Sequence, residues 1–446
     1  MSIVTALTLA AALVSGAAGD GWKAGVARVD ITPGELMWLA GYAARGHEAQ
    51  GTLHPLWVKA LALEDAAGNR ALIITSDVLG FPKPVSDNIF DRLQASTGLD
   101  RARIILNSSH THSGPVIDGS LLCIYPLDPA GLEKVRRYTP VLIDKVVSVG
   151  ESAFKDMVPV RLESASGVTR FAVNRRNNKE AEIETTYNLN GPVDHAVPVL
   201  RVSREDGQPL AVLFGYACHN TTLCEYEWCG DYAGFAQEAL ERTYPGAAAL
   251  FFQGCGGNQN PLPRRTVSRA RQYGAELAAA VEAAMAEPMT PLDPSLKTAR
   301  TEVELFLETP PGRAALVKIA ETDNEYNRRA ATEMIAQLDA GQPLRNSFLY
   351  PVQVWNLGGL PLVALAGEIV VDYAICAKNI LGPRTFVMGY SNILVSYIPT
   401  SAIIREGGYE GGGAQLMYGM PNKWREDIET RIVDTITATA KEAGLL

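Results

Sequence analysis

The chain has 446 residues, of which 47% are hydrophobic and 20% charged, and this balance is typical of a globular protein with a large apolar core. Its net charge of −9 and the scatter of its Lys and Arg residues argue against a nucleic-acid partner. Beyond the N-terminal region, no stretch is apolar and long enough to cross a bilayer, so we expect no integral membrane segment.

The N-terminus has the pattern of a secretory signal. An apolar run over residues 3–14 is followed by small residues, which predicts a signal peptide over residues 1–18 with cleavage near Ala17 or Ala18. The usual basic residue near the start is missing, and the alternative is an apolar segment that stays attached. We expect a secreted or periplasmic protein in the first case and a cytoplasmic one in the second.

The rest of the chain alternates strand-like and helix-like segments without an internal repeat or a change in composition. This alternation predicts one α/β unit with helices flanking its sheets. Strands are predicted at residues 25–31, 56–64, 71–78, 102–109, 209–218, 248–254, 350–367 and 385–391. Helices are predicted at residues 85–97 (ended by Gly98), 132–154, 235–244, 266–286, 313–338, 369–380 and 423–443.

Three predicted strands lead directly into good metal ligands. "ARIILNSS" precedes His110 and His112, "PLAVLFGYAC" precedes His219, and "LPLVALAG" precedes Glu368. Ligands in open α/β sheets bind beyond the carboxyl ends of strands, so these side chains are candidates for one site. His110 and His112 would share a face if "SHTHSGP" continues the strand, whereas its Ser, Thr, Gly and Pro also suit a solvated turn. The position after a strand favours the extended form.

His110, His219 and Glu368 together match a catalytic zinc site, which uses about three imidazole or carboxylate ligands and keeps one position open. Zn²⁺ in such a site lowers the pKa of its water to about 7 and polarises a carbonyl, as hydrolysis of an amide or ester requires. Each residue alone has a structural alternative, since a single histidine after a strand can be a packing residue and Glu368 can favour a helix N-terminus. Glu368 could also act as a general base.

Other catalytic patterns fit less well. The chain has no HxHxDH run, no GxSxG nucleophile elbow and no complete GxGxxG, although "GCGGNQN" contains part of the last pattern. Cys218, Cys224 and Cys229 lie near His219 but lack the CxxC spacing of a structural zinc site. A disulfide between Cys224 and Cys229 is the alternative if the protein is exported.

The ordered set of motifs resembles the neutral ceramidases, which are zinc-dependent amidases that cleave the N-acyl bond of ceramide. The resemblance extends over nearly the whole chain, and "HTHSGP" is its most specific part. It implies a neutral-ceramidase-like zinc hydrolase domain over residues 22–446, with mixed β-sheets flanked by helices. The matching segments are "GVARVDITP", "GYAARG", "GTLHPLWVKALALE", "SSHTHSGP", "NRR", "CHNTTL", "GDYAGFA", "AGE" and "SYIPTSAIIREGGYEGG".

The resemblance also implies a complete ligand set. The family's zinc ligands fall on His110, His219, Glu368 and Tyr397, and all four residue types are kept. Tyr397 is identified by the resemblance of "SYIPT" alone, and its structural alternative is an aromatic residue of the core.

Further residues take their roles from the same resemblance. His112 would either support the ligand His110 from beside it or act as an acid/base residue that reaches the water or the scissile carbonyl. Tyr409, together with Arg175 or His112, would stabilise the developing oxyanion. Arg175 corresponds to an arginine of the family's site, although either it or Arg176 could form only a surface salt bridge. Asp231 matches the family's "GD" and would orient nearby backbone or a ligand.

Two features depart from the family pattern. The family's G-D-V-S-P-N reads Gly-Cys-Gly-Gly-Asn-Gln over residues 254–259, so Gly257 replaces a serine. This replacement leaves open the local substrate contacts and therefore whether ceramide is the substrate. We also expect no counterpart of the family's C-terminal β-sandwich domain, since the last predicted helix ends close to Leu446.

The sequence therefore predicts a zinc-dependent hydrolase that cleaves an N-acyl amide bond of a small molecule or lipid with metal-activated water. One alternative is a related zinc hydrolase acting on a different N-acyl compound, a lactone or an ester. The other is a binding protein that keeps the scaffold without turnover.

Overall fold

The computed structural model describes residues 21–446, and the predicted signal peptide lies outside the described residues. The strands within this range, in chain order, are β1 (Trp22–Asp30), β2 (Gly51–Thr52), β3 (Trp57–Glu64), β4 (Arg70–Ser76), β5 (Ile104–Ser108), β6 (Val158–Val168), β7 (Ala172–Asn174), β8 (Ala196–Arg204), β9 (Pro209–Tyr216), β10 (Glu227–Trp228), β11 (Ala248–Gln253), β12 (Gln259–Pro261), β13 (Thr290–Pro291), β14 (Leu296–Phe306), β15 (Ser347–Leu357), β16 (Leu360–Leu365), β17 (Glu368–Ile369), β18 (Phe386–Met388) and β19 (Tyr397–Ile398). The helices are α1 (Lys83–Thr97), α2 (Pro129–Ser152), α3 (Asp231–Thr243), α4 (Val267–Ala286), α5 (Arg313–Ala320), α6 (Glu325–Asp339), α7 (Asp372–Leu381), α8 (Ser401–Glu406) and α9 (Ile428–Glu442).

Most strands belong to two mixed sheets. The larger sheet has the order β11-β9-β8-β6-β1-β3-β4-β5, with β13 added beside β6. Its edge pairs β11/β9 and β4/β5 are parallel, and the pairs between them are antiparallel. The smaller sheet has the order β14-β15-β16-β18, with only β16/β18 parallel. Three two-stranded ladders complete the set, β2/β10, β7/β12 and β17/β19.

The two sheets pack face to face between layers of helices. One buried apolar cluster contains side chains of both sheets, such as Leu61, Leu213 and Trp355, and joins their inner faces. The outer face of the large sheet packs on α1 and α2 at one end and on α3 and α4 at the other. Helices α7 and α9 cover the small sheet. The fold is therefore the predicted α/β arrangement of mixed sheets flanked by helices.

The two edge strands of the large sheet, β5 and β11, contact each other. Asn107 of β5 accepts a hydrogen bond at Oδ1 from the backbone N–H of Gln253 in β11, at 2.9 Å. Its Nδ2 donates to the carbonyl of Gly389, just after β18, at 2.7 Å. One buried amide therefore links both edges of the large sheet to the small sheet, and the loops that follow these strands meet at one place.

Most predicted elements are confirmed, with shifts at their ends. Gly98 terminates α1 in the left-handed conformation, with φ of 73°. The helix predicted at 313–338 is instead two helices, because the chain turns at residues 321–324 and Asn324 caps α6. The helix predicted from residue 369 begins only at Asp372, because Glu368 and Ile369 pair as a strand. Strands β6, β8 and β14 were not predicted, because their exposed polar positions weaken the apolar signal.

Within residues 21–446, the helices are all too short or too polar to span a bilayer.

Candidate metal centre and active site

Three of the predicted ligands converge where their strands end. His110 follows β5, His219 follows β9, and Glu368 begins β17. The Oε2 atom of Glu368 lies 3.0 Å from Nε2 of His219 and 3.3 Å from Nε2 of His110. All three side chains are almost fully buried. The sequence prediction that these residues form one cluster agrees with their positions.

The HTHSGP segment reaches the cluster as a turn, so the extended form expected for it is wrong. Strand β5 ends at Ser108, and His110 adopts a left-handed backbone with φ of 59°. This conformation is uncommon for a residue with a side chain, and residues strained in this way cluster at functional sites. The turn still brings the two imidazoles together, with Nε2 of His112 at 3.2 Å from Nε2 of His110. Two histidines thus face one point without sharing a strand face.

Hydrogen bonds to the outer nitrogens orient both buried imidazoles. Nδ1 of His110 lies 2.6 Å from the carbonyl oxygen of Leu79, and Nδ1 of His219 lies 2.7 Å from that of Gly256. A carbonyl only accepts, so each Nδ1 carries the proton and each Nε2 presents its lone pair to the cluster. Burial and the positive charge of Arg175 lower the pKa of His219 to about 4. At neutral pH this imidazole is uncharged, the form that binds a metal.

Glu368 and Tyr397 lie side by side because β17 and β19 pair in parallel with these residues in register. The Tyr397 hydroxyl lies 3.4 Å from Nε2 of His219. Burial alone would raise the pKa of Glu368, but its close contacts with the His110 and His219 imidazoles outweigh burial and hold this pKa well below its usual range. Glu368 is therefore a carboxylate at neutral pH. The hydroxyl oxygen of Tyr397 is a fourth potential metal-binding atom at the same point, after those of His110, His219 and Glu368.

The donor set fits a zinc ion. Two imidazole lone pairs, one carboxylate oxygen and one phenol oxygen converge in a buried space, and such a group of acceptors is stabilised by a cation. Among residues 21–446, His110, His112 and His219 form a group that could hold a metal ion, since one nitrogen of each lies within 4.8 Å of the others. His112 therefore stands close enough to be a ligand as well as a proton carrier. Its Nδ1 is buried without a hydrogen-bond partner.

Arg175, and not Arg176, faces the cluster. Its Nη2 donates to the Tyr397 hydroxyl oxygen at 3.1 Å and to the Gly257 carbonyl at 2.8 Å, while its Nε donates to Glu410 at 2.7 Å. Burial alone would lower the pKa of Arg175, but the neighbouring oxygens of Tyr397 and Glu410 hold this pKa well above its usual range. Arg176 instead pairs with Glu406 and Glu410. Arg175 thus places a permanent positive charge beside the phenol of Tyr397.

Tyr409 stands at the outer edge of the same group. Its ring centroid lies 5.2 Å from that of Tyr397, and the guanidinium of Arg175 lies 5.6 Å from its ring. Desolvation of the hydroxyl and the negative charge of Glu368 raise the pKa of Tyr409 to about 12. About half of the side chain, 47%, is exposed. Tyr409 is therefore a protonated donor that a substrate can reach.

Tyr418 is a site residue that the sequence did not predict. It follows a π-helical turn, Tyr409–Gly413, at the end of a 3₁₀ turn, Gln415–Tyr418. Its hydroxyl donates to Oε1 of Glu368, the oxygen that the two histidines leave free. No metal-ligand spacing or strand-end pattern marks this tyrosine, so the sequence carried no signal for it. The contact fixes the orientation of the carboxylate.

Gly257 sits where a side chain has no room. A Cβ atom on Gly257 would lie 2.5 Å from the carbonyl oxygen of Glu368 and 2.9 Å from the backbone of Ile369. The backbone N–H of Gly257 donates to the Ile369 carbonyl at 2.9 Å, which holds the loop against β17. At the position of the family serine, this chain therefore has a glycine whose backbone lies directly against the backbone of β17.

Asp231 supports the loop after β9 rather than pointing at the metal ligands. Its carboxylate accepts from the backbone N–H groups of Leu223 and Tyr232 at 2.8 and 2.6 Å. In the same loop, Asn220 donates to the Ser109 carbonyl at 2.5 Å and so joins the segments that carry His219 and His110.

All six cysteines are free thiols in the structure, so the alternative of a disulfide between Cys224 and Cys229 does not hold. Cys218 and Cys229 are buried, and desolvation raises the pKa of each thiol well above its usual range. They are neutral at physiological pH, which is unsuited to a thiolate zinc site.

Comparisons with a family description and with individual known proteins both identify neutral ceramidases as similar to this chain. The family description "Neutral/alkaline non-lysosomal ceramidase, N-terminal" matches residues 22–273. Neutral ceramidase A of Dictyostelium discoideum is 27% identical over 241 residues, which cover 51% of this chain and 33% of that protein. Neutral ceramidase of Pseudomonas aeruginosa is 26% identical over 252 residues, 54% of this chain and 37% of that protein. The aligned part is thus well under half of each relative.

The fold agrees with a solved structure over a longer range. The crystal structure of the neutral ceramidase from Pseudomonas aeruginosa superimposes with a TM-score of 0.73 and 19% identity, covering 95% of this chain and 75% of that chain. A second solved structure, described as "Ceramidase complexed with C2", superimposes with a TM-score of 0.74 and 19% identity, covering 95% of this chain and 75% of that chain. Because the family description matches more than half of the chain, this protein belongs to the neutral/alkaline non-lysosomal ceramidase family.

Proposed function

We propose that the protein is a zinc-dependent hydrolase of N-acyl amide bonds. The observation that carries the proposal is the convergence of His110, His219 and Glu368, with the two imidazoles held in the tautomer that presents Nε2. Tyr397 completes a set of four donors, and Arg175 and Tyr409 add a cation and a phenol beside it. Family membership supports amide hydrolysis as the reaction.

When bound, zinc would supply a water molecule of lowered pKa and would polarise the substrate carbonyl. Nε2 of His112 lies beside the ligand His110 and is placed to take the proton of the attacking water. Burial, reinforced by the neighbouring His110 and His219 imidazoles, holds the pKa of His112 well below its usual range, so this imidazole is neutral and free to accept. His112 would then return the proton to the leaving nitrogen.

Tyr409 and Arg175 act on the oxyanion. The Tyr409 phenol stays protonated and can donate a hydrogen bond to the negative charge that develops on the carbonyl oxygen. Arg175 holds the Tyr397 oxygen and contributes a fixed positive charge to the same region. Water adds to the carbonyl carbon, the C–N bond breaks, and the products are a carboxylate and an amine.

Metal analysis combined with a hydrolysis assay tests this function. The purified protein should contain one zinc ion per chain, lose hydrolysis of an N-acyl amide on chelation, and regain it with added zinc. His219→Ala should lose both the metal and the activity. His47→Ala, which changes an exposed histidine, is the matched control and should keep both. Full activity in metal-free protein, or in His219→Ala, would contradict the proposal.

A further inference from the structure

The cavity beside the catalytic group is polar. It measures about 590 Å³, and Arg175 and Tyr409 form part of its wall. Both residues also contact Tyr397, so the cavity begins one side chain away from the metal ligands. Its volume falls within the range of about 300–1,000 Å³ that is usual for small-molecule sites. The cavity is therefore placed to receive one end of a substrate.

The walls of this cavity suit hydrogen-bonding groups. Apart from Leu262 and the ring of Tyr409, the described side chains that line it carry charges or amides, such as Asn178 and Asn260. Its charged residues form ion pairs, Arg176 with Glu406 at 2.8 Å and Arg264 with Glu180 at 2.6 Å. An alkyl chain would displace water from these groups without replacing its hydrogen bonds, which is unfavourable. Hydroxyl and amide groups of a ligand could replace them.

A smaller cavity adjoins the other end of the Tyr409–Tyr418 segment. It measures about 250 Å³, and Tyr418, which contacts Glu368, is part of its wall. Apolar side chains form much of the rest, including Leu121, Leu122 and Met417. Its volume lies below the usual range of about 300–1,000 Å³ for small-molecule sites, so it suits a short apolar group.

From these two cavities we infer that the substrates are short-chain N-acyl derivatives of a polar amine bearing several hydroxyl or amide groups, and not long-chain ceramides. This inference rests on the proposed function. The scissile amide would lie at the metal ligands, the amine portion would enter the polar cavity, and the acyl chain would enter the smaller one. The cavity walls, and not the metal ligands, would then set the specificity.

A matched substrate panel tests the inference with the zinc-loaded protein. The panel crosses two amines, glucosamine and sphingosine, with two acyl groups, hexanoyl and palmitoyl, all in the same detergent. N-hexanoyl-serinamide is added to separate a sugar from a peptide-like amine. We expect kcat/KM for N-hexanoyl-glucosamine or N-hexanoyl-serinamide to exceed that for N-palmitoyl-sphingosine by about a hundredfold, as for sites that hydrogen-bond to a substrate. Equal or greater kcat/KM for N-palmitoyl-sphingosine would overturn the inference and leave the proposed function standing.

A wall variant gives an independent readout. Glu406→Leu should raise KM for the preferred hexanoyl compound about tenfold with little change in kcat, because the polar wall loses a charged acceptor. Glu406→Gln should have a smaller effect, and Glu205→Leu, at an exposed glutamate of the β8–β9 turn, should have none. Unchanged KM in both Glu406 variants would contradict the placement of the amine.

Calorimetric titration separates the inference from the proposed function. Absence of turnover for every compound, with zinc bound, would refute the hydrolase proposal. In that case the affinities of the panel compounds would still test which substrate groups the two cavities bind. Tighter binding of N-hexanoyl-glucosamine or N-hexanoyl-serinamide than of N-palmitoyl-sphingosine would support the inference, and the reverse order would overturn it.

Discussion

Replacing Gly257 with alanine or serine should damage both the fold and the metal centre. A Cβ atom there would lie 2.5 Å from the Glu368 carbonyl oxygen and 2.9 Å from backbone atoms of Ile369. These are backbone atoms of a buried strand, so they cannot move aside as a flexible side chain does. The loop and β17 must separate, and the hydrogen bond from Gly257 to the Ile369 carbonyl is strained or lost.

The size of the effect follows from these contacts. Overpacking of a buried site costs typically about 1–3 kcal/mol, and a lost hydrogen bond adds about 1 kcal/mol, so we expect a loss of about 2–4 kcal/mol in the free energy of unfolding. Because Glu368 moves with its strand, zinc affinity should also fall, by about 10- to 100-fold, as when an orienting group near a metal is changed. Alanine and serine should behave alike, since the clash occurs at Cβ.

Denaturation of the zinc-free protein and zinc titration against a competing chelator measure the two effects separately. The zinc-free form is needed because bound metal stabilises the folded state by itself. Gly34→Ala is the control, because a Cβ atom at Gly34 would meet no atom within 4 Å. Wild-type stability and zinc affinity in both Gly257 variants would refute the reasoning from close approach. Higher activity in Gly257→Ser alone would show that the family hydroxyl can be accommodated here.

The other predictions concern single groups around the centre. Tyr409→Phe should keep its zinc and lower kcat by about a hundredfold or more, as for loss of one oxyanion donor; full activity would remove Tyr409 from the mechanism. Tyr418→Phe should weaken zinc binding about 10- to 100-fold in a chelator titration, because Glu368 loses the hydrogen-bond donor to its Oε1. The control Tyr187→Phe, at a fully exposed tyrosine, should leave zinc binding unchanged. The zinc-free protein should lose stability as the pH falls from about 6.5 towards 4. The imidazoles of the unfolded chain take up protons near pH 6.5. In the folded protein the pKa of His219 is about 4 and that of His112 is also lowered, so these imidazoles resist protonation. The slope should be at most about 1.4 kcal/mol per pH unit for each imidazole, and a pH-independent stability over this range would contradict the burial of neutral His219.

Much of the site could be predicted because the polar residues stand directly after apolar strands. The buried runs of β5, β9 and β16 are plain in the sequence, and His110, His219 and Glu368 follow them at once. The sequence did not show why these strand ends meet, since β5 and β9 lie far apart in the order of the large sheet. Their meeting depends on contacts between the two edge strands, including the buried Asn107, which accepts a hydrogen bond from Gln253 across the edges.

Local backbone conformation accounts for the main error at the site. Side-chain alternation predicted that His110 and His112 point the same way on a strand, but the chain turns at His110 with φ of 59°. Such a conformation costs energy locally and is held by contacts distant in sequence, including the hydrogen bond from the His110 N–H to the Val78 carbonyl. Periodicity carries no information about those contacts. The position of Tyr418 on Glu368 was missed for the same reason, because a turn 50 residues away supplies it.

The replacement at Gly257 shows how a sequence comparison and a structure can assign different meanings to one change. In the sequence, a serine hydroxyl disappears from the site. In the structure, the glycine lets its backbone approach β17, and its carbonyl accepts from Nη2 of Arg175 at 2.8 Å. The same guanidinium holds Tyr397 and lines the polar cavity. The loop at Gly257 therefore connects the proposed metal ligands to the wall that we expect to select the amine, and on our proposal a change in this wall would alter substrate preference without a change of any metal ligand.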